Sequence, residues 1–200
     1  MKMTILFFGS FNPVHRGHLA IVRRVVEQWP GDEVWVVVSP GNPLKDAEQL
    51  APAEHRLEMV RLAVEAAGLG ERVKVCDVEF SMPRPSYTID TLERLQSEYP
   101  DRRFSLLVGS DIIGGLERWK DYRKLLDNYP LLVYPRPGYP VEGPLARRVK
   151  VLEGLPVWNC SSTEVRKEIA EGRAAEMLTP EVANYIKQHN LWTRNSLNKR

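Results

Sequence analysis

The stretch Ile5-Leu6-Phe7-Phe8-Gly9-Ser10-Phe11-Asn12-Pro13-Val14-His15-Arg16-Gly17-His18 joins a short apolar run to a glycine-punctuated turn and then to two imidazoles three positions apart. The apolar run reads as a strand covered on both faces, the form that parallel strands take. Gly9 permits a tight turn and a close approach of backbone to ligand, and Pro13 stops the strand from continuing. A helix is then predicted to start near Gly17 or His18, and the N–H groups of a helix start favour anions. His15 and His18 can converge on one phosphate region there and donate to the oxygens of a transferring group. They are the candidate catalytic pair, against the plainer reading of two capping or surface histidines.

Outward from this segment, short β-rich runs alternate with helical patterns. Strands are predicted at 4–8, 33–39, 73–78, 104–108 and 131–134. The first helix carries Leu19, Val22, Val25 and Val26 on one face, and 55–67 carries Leu57, Val60, Leu62 and Val64. Residues 88–99 open on a Ser/Thr cluster and stop at Pro100. Such alternation predicts an α/β fold with a doubly wound, Rossmann-like, mostly parallel sheet, whose ligands sit beyond the carboxyl ends of strands. After Arg136-Pro137-Gly138-Tyr139-Pro140, which is turn chemistry, two helices are predicted, at 162–172 and 180–189. The expected organisation is a single domain over 1–192, with a core to about 135, a small helical C-terminal portion over 136–192, and a flexible basic tail at 193–200.

Composition bounds the partners. The chain has 200 residues, 43% hydrophobic and 27% charged, which suits one globular domain and argues against disorder. Its net charge of +2 is too small to imply a nucleic-acid partner. Cys76 and Cys160 form no disulfide framework or zinc pattern. The apolar run after Lys2 ends short of the roughly 7–15 residues that a signal segment needs, and no run reaches transmembrane length. A cytoplasmic protein without membrane partner is expected; a homo-oligomer stays open.

A second segment, Ser161-Ser162-Thr163-Glu164-Val165-Arg166, reads as a helix N-terminus with three hydroxyls and an arginine one turn later. Ser161, Ser162, Thr163 and Arg166 would make a receptor for β- and γ-phosphates. An ordinary N-cap followed by a surface charge is the alternative.

Together the two segments resemble the nucleotidyltransferase superfamily, whose (T/S)-x-x-x-H-x-G-H signature is matched by Ser10 to His18 and whose S-S-T-x-x-R signature is matched by Ser161 to Arg166. Pantetheine-phosphate adenylyltransferases share this pairing. The intervening Pro85-Ser86-Tyr87-Thr88-Ile89-Asp90-Thr91-Leu92, Gly109-Ser110-Asp111, Trp119 before Leu125-Leu126, and Arg136-Pro137-Gly138 look like bacterial nicotinate-nucleotide adenylyltransferase, as does the closing Leu178-Thr179-Pro180 with Tyr185-Ile186 and Leu191-Trp192. The resemblance runs from Ile5 to Trp192.

It implies transfer of AMP from ATP to nicotinate mononucleotide, with Mg²⁺ carried by the ATP phosphates and no protein metal site. Gly9, Ser10, Phe11, Lys45, Gly109 and Asp111 would join Ser161–Thr163 and Arg166 at ATP. Ser86, Tyr87, Thr88, Trp119 and Arg136 would bind the mononucleotide. The helix start at Thr88 offers N–H groups to a carboxylate that nicotinamide lacks, and Trp119 offers a ring to stack on. Asp111 could instead cap a loop, Lys45 could be solvated, Phe11 could merely pack and Arg136 could serve only its turn. Nicotinamide mononucleotide or phosphopantetheine as acceptor, and a non-catalytic nucleotide sensor, remain alternatives. Four departures stand out: Ser10 replaces the family's threonine but keeps its hydroxyl, Asn12 replaces the family's aspartate and takes no ionic role, Lys120 replaces an aromatic for which Tyr122 could compensate, and Cys160 replaces a β-branched residue.

Overall fold

The computed structural model describes residues 3–41, 50–155, 161–173 and 176–193. Its strands are β1 (Met3–Gly9), β2 (Glu33–Val38), β3 (Val73–Cys76), β4 (Arg103–Gly109), β5 (Leu131–Tyr134) and β6 (Val149–Val151). Its α-helices are α1 (Arg16–Gln28), α2 (Ala53–Ala66), α3 (Thr88–Glu98), α4 (Ser110–Ile113), α5 (Tyr122–Asn128), α6 (Ser162–Ala170) and α7 (Pro180–Gln188). All five strand pairings are parallel, in the order β3-β2-β1-β4-β5-β6.

Alternation along the strands builds two cores. Ile5 and Phe7 of β1, with Val34, Val36 and Val38 of β2, meet residues of α1, α2, α6 and α7 on one face. Leu6, Trp35 and Val37 face the other way, onto Ile89, Leu92 and Leu95 of α3 and Leu125 of α5. Both faces being covered, the central strands are continuous apolar runs, and each fully buried Leu or Val contributes roughly 1.5–3 kcal/mol. α1 buries Leu19, Val22, Val25 and Val26 as its spacing predicts. α2 differs: it buries Ala53, Arg56, Leu57, Met59, Val60 and Ala63, while Leu62 and Val64 are only half-buried.

The chain builds β1, β2 and β3 in one direction and then returns to lay β4 on the free side of β1, so strand order reverses between β1 and β4. Ligand crevices of open α/β sheets form at that reversal, beyond the carboxyl ends. Gly9 and Gly109 end the two strands there. Three elements carry no strong sequence signal: β6, which extends the sheet inside the stretch read as helical, and the short α4 and α5. Among the described residues no helix is long and apolar enough to cross a membrane.

Candidate active site

The turn after β1 is shaped by its own aromatic. A Cβ on Gly9 would lie 2.8 Å from the Phe11 ring, so glycine is what lets that ring fold back over the strand end. Phe11 takes a left-handed backbone at φ 44°, and its buried ring meets Phe7 edge-on at 5.6 Å and His18 at 5.1 Å. The Asn12–Pro13 peptide that follows is cis.

His15 is the N-cap residue of α1 and His18 its third residue. Their rings lie 3.8 Å apart between centroids. The His15 backbone N–H donates to His18 Nδ1 at 3.2 Å, so a neutral His18 carries its proton on Nε2. The His18 amide faces the His15 side chain, yet its hydrogen bond goes to the His15 carbonyl at 2.9 Å. His15 Nδ1 is thereby left buried with no hydrogen-bond partner among the described residues. Burial, reinforced by the Arg136 cation and partly opposed by Glu164, pushes the His15 pKa down to about 4. His15 is neutral at pH 7.

α6 is sewn to this turn. Ser162 Oγ donates to the Pro13 carbonyl at 2.9 Å, and Arg166 Nη1 donates to the Asn12 carbonyl at 2.8 Å. Arg166 Nη2 also donates to Thr163 Oγ1 at 3.3 Å, and burial lowers the Arg166 pKa. Two segments far apart in sequence are brought together as expected, but their polar groups divide the work. Ser161 serves the helix itself: its Oγ accepts from Glu164 N at 3.2 Å and donates to Glu164 Oε2 at 2.9 Å, while its N–H donates to the same carboxylate at 2.8 Å. Replacing Ser161 with alanine should lower stability by about 1 kcal/mol, measured by urea unfolding, because one orphan donor of the helix start loses its acceptor.

β4 and β5 form the opposite wall. Gly109 and Asp111 flank Ser110, which begins α4, and Ser110 Oγ accepts from the Arg136 backbone N–H at 2.8 Å. Arg136 Nε lies 3.5 Å from Asp111 Oδ1, and its guanidinium sits 5.8 Å from the Tyr134 ring centre. Phe7 touches Phe11, His18 and Tyr134, and so ties the two walls together.

At the start of α3, Tyr87 is the N-cap residue and Thr88 the first helical residue. Ser86 is turned inward: its hydroxyl donates to Glu79 Oε2 at 2.9 Å, and Thr91 Oγ1 donates to Glu79 Oε1 at 2.9 Å. Glu79 is only 2% exposed, so Ser86 braces a buried carboxylate. Trp119 is half-buried against the α3 core. Lys120 Nζ bonds both Asp90 oxygens, at 2.7 and 2.8 Å, and lies 5.1 Å from the Tyr87 ring centre. It therefore joins the Trp119 segment to the first turn of α3 with a charge. The Tyr122 hydroxyl accepts from Arg123 Nε at 3.2 Å, and no ring contact between Trp119 and Tyr122 occurs among the described pairs. Lys45, Cys160 and the basic tail from Arg194 lie outside the described residues.

Sequence reasoning passed over Glu79 and Arg56. Arg56 carried a signal, a charge on the apolar stripe of α2 between Ala53 and Val60. Asn12 has a structural role that explains its lack of an ionic one: its Oδ1 accepts from Ala51 N at 2.9 Å. A groove of about 430 Å³ lined by Trp35, Cys76, Phe80, Arg94 and Tyr99 includes none of the candidate site residues.

The chain is similar to known proteins in both sequence and fold. Residues 6–168 match the cytidylyltransferase-like family. A protein of Bacteroides fragilis named "probable nicotinate-nucleotide adenylyltransferase" is 44% identical over 171 residues, covering 85% of this chain and 83% of its own. One of the same name from Bacteroides thetaiotaomicron is 42% identical over 188 residues, covering 93% and 91%. In fold, the chain is similar to a Plasmodium falciparum nicotinic acid mononucleotide adenylyltransferase complexed with NaAD, with a TM-score of 0.79 at 20% identity over 96% of this chain and 98% of that one. With sheet order, turn and paired segments all in place, the chain belongs to the nicotinate-nucleotide adenylyltransferases of the cytidylyltransferase-like family.

Proposed function

We propose that the chain transfers AMP from ATP to nicotinate mononucleotide, forming nicotinate adenine dinucleotide and pyrophosphate in NAD biosynthesis. The observation that carries this reading is the joining of α6 to the histidine-bearing turn through Ser162–Pro13 and Arg166–Asn12. It supports a reading in which an α-phosphate site and a pyrophosphate site lie side by side at the β1/β4 reversal.

A phosphate oxygen of the mononucleotide bonds to the α-phosphorus of ATP. The bond from that phosphorus to the α,β-bridging oxygen breaks, and its electron pair leaves with pyrophosphate. The attacking oxygen is already anionic near neutral pH, so no strong base is needed and catalysis rests on positioning and charge stabilisation. His18 Nε2–H donates to the α-phosphate oxygens as charge builds there. Neutral His15 packs against it, and the first turn of α6 with Arg166 receives the departing phosphates. The divalent ion enters as part of the substrate, as Mg²⁺ on the triphosphate. The hydroxyls, guanidinia and Nε2–H imidazole around the turn suit phosphate oxygens.

The acceptor lies toward α3. The N-terminal amides of α3, beside Tyr87 and Thr88, receive the nicotinate carboxylate, Trp119 supports the ring, and Arg136 meets the mononucleotide phosphate. Asp90 in that first turn would repel a carboxylate, and the Lys120 ammonium neutralises it. Residues 1–192 act as one domain, with β6 in the common sheet and α7 packed on α2 through the His55–Tyr185 hydrogen bond of 2.9 Å.

The test offers ATP and Mg²⁺ with nicotinate mononucleotide, nicotinamide mononucleotide or phosphopantetheine and measures pyrophosphate release. The acid should be preferred over its amide by at least ~10-fold in kcat/KM, about 1.4 kcal/mol of transition-state discrimination. A preference for either other acceptor overturns the assignment, and no release with any of them favours a sensor.

A further inference from the structure

Arg56 is 1% exposed and is the largest of the fully buried side chains among the described residues. Its hydrogen bonds go to four backbone carbonyls: Nε to Ala51 at 2.9 Å, Nη1 to Ser10 and Ser39 at 2.7 Å each, and Nη2 to Pro40 at 2.6 Å. No carboxylate pairs with it among the described residues. Burial lowers its pKa only to about 10, so the guanidinium stays charged at neutral pH. Glu54 raises its pKa in part but forms no salt bridge with it, and a buried charge so placed has to be held by well-aimed dipoles. Only a planar fork of five donors can span four carbonyls at once.

Those carbonyls come from three places: the turn after β1, the exit of β2 and the approach to α2. Ala51 is gripped on both sides, its C=O by Arg56 and its N–H by Asn12 Oδ1. The segment between Gly9 and Asn12 is thus fastened at both ends, since Ser39 N also donates to the Gly9 carbonyl at 2.9 Å. Phe11 sits inside that fastened segment, in its left-handed conformation, with its ring on His18. The carbonyls of Ser10, Asn12 and Pro13 are capped by Arg56, Arg166 and Ser162 in turn, so their lone pairs do not oppose an arriving phosphate.

We propose that Arg56 is a positioning residue for adenylyl transfer: it clamps the turn after β1 so that Phe11 holds His18 in register with the α-phosphate. The proposal rests on the role assigned to His18 above. Its consequence is a loss in kcat rather than in substrate affinity, because a small displacement of a group that stabilises the transition state leaves ground-state contacts largely in place.

In R56K the ammonium cannot reach four carbonyls, and kcat should fall about 10²-fold while KM for ATP and for nicotinate mononucleotide stays within about threefold. A cooperatively unfolding R56K with kcat within twofold of wild type overturns the proposal, as does a loss carried by KM alone. If R56K lacks a cooperative transition, the wild-type chain is read by ¹⁵N NMR instead. The Arg56 Nε–H resonance should be protected from exchange and should shift when a non-hydrolysable ATP analogue saturates the protein; an unmoved resonance overturns the proposal. H18A run in parallel separates the two claims. Normal turnover in H18A overturns the premise, whereas impaired H18A beside normal R56K overturns the role of Arg56 alone.

Discussion

His18→Ala should lower kcat by at least ~10²-fold while ATP affinity changes little, the result expected when one preorganised donor to a developing oxyanion is lost. The donor is preorganised by the backbone. With Nδ1 accepting from the His15 N–H at 3.2 Å, the neutral ring has its proton on Nε2, and the Phe11 and Phe7 rings hold the imidazole plane. None of these supports requires ligand, so the cost of orienting the donor is met in folding. In the proposed site α6 and Arg166 also hold the ground-state triphosphate, so binding should survive the deletion. His18→Gln, whose carboxamide nitrogen lies at about the depth of Nε2, should recover part of the loss, whereas His18→Leu should not. The measurement is pyrophosphate release at saturating ATP and nicotinate mononucleotide, with nucleotide affinity taken separately by calorimetry. An alanine variant within a few-fold of wild-type kcat removes His18 from the chemistry.

How legible each part was follows from how many constraints its residues obey at once. β1 and β2 were readable because both faces are buried, which forces unbroken runs such as Val34-Trp35-Val36-Val37-Val38. β6 has three residues, with Lys150 and Val151 exposed, and such an edge strand leaves no pattern to read. α5 buries only Leu125 and starts after Asp121 at φ 49°, so neither periodicity nor a cap announces it. At the site, the two imidazoles and the α6 start were visible as local motifs. What local motifs could not show is how their groups are spent: Ser161 on its own helix, Ser86 on Glu79, Asn12 on Ala51. Those partners are set by tertiary contact. Arg56 lies between these cases, since its place on an apolar stripe marks it as buried while its four carbonyls come from segments that only the fold assembles.

The same neighbourhood predicts how the protein responds to acid. His15 is 5% exposed, and its pKa falls from 6.5 to about 4 in the fold, chiefly through burial and then through the Arg136 cation. Above pH 6.5 the ring is neutral folded or unfolded, and it gives no pH dependence. Between 6.5 and about 4 the unfolded chain takes up a proton that the folded chain refuses, so stability falls as pH falls through that window. Below it both forms are protonated and the loss levels off. A shift from 6.5 to about 4 corresponds to roughly 3 kcal/mol, with little solvent screening at so buried a site. His15→Asn removes the titration and keeps a polar side chain at the N-cap. Urea unfolding of wild type and His15→Asn from about pH 7 down to about pH 4 should give curves that converge as pH falls, with the wild type losing roughly 3 kcal/mol more than the variant. The difference in slope is the readout, because the substitution also changes packing by an amount that does not vary with pH. Parallel curves would mean that His15 is not held neutral by the fold, and the low-dielectric setting in which His18 is proposed to work would lose its main support.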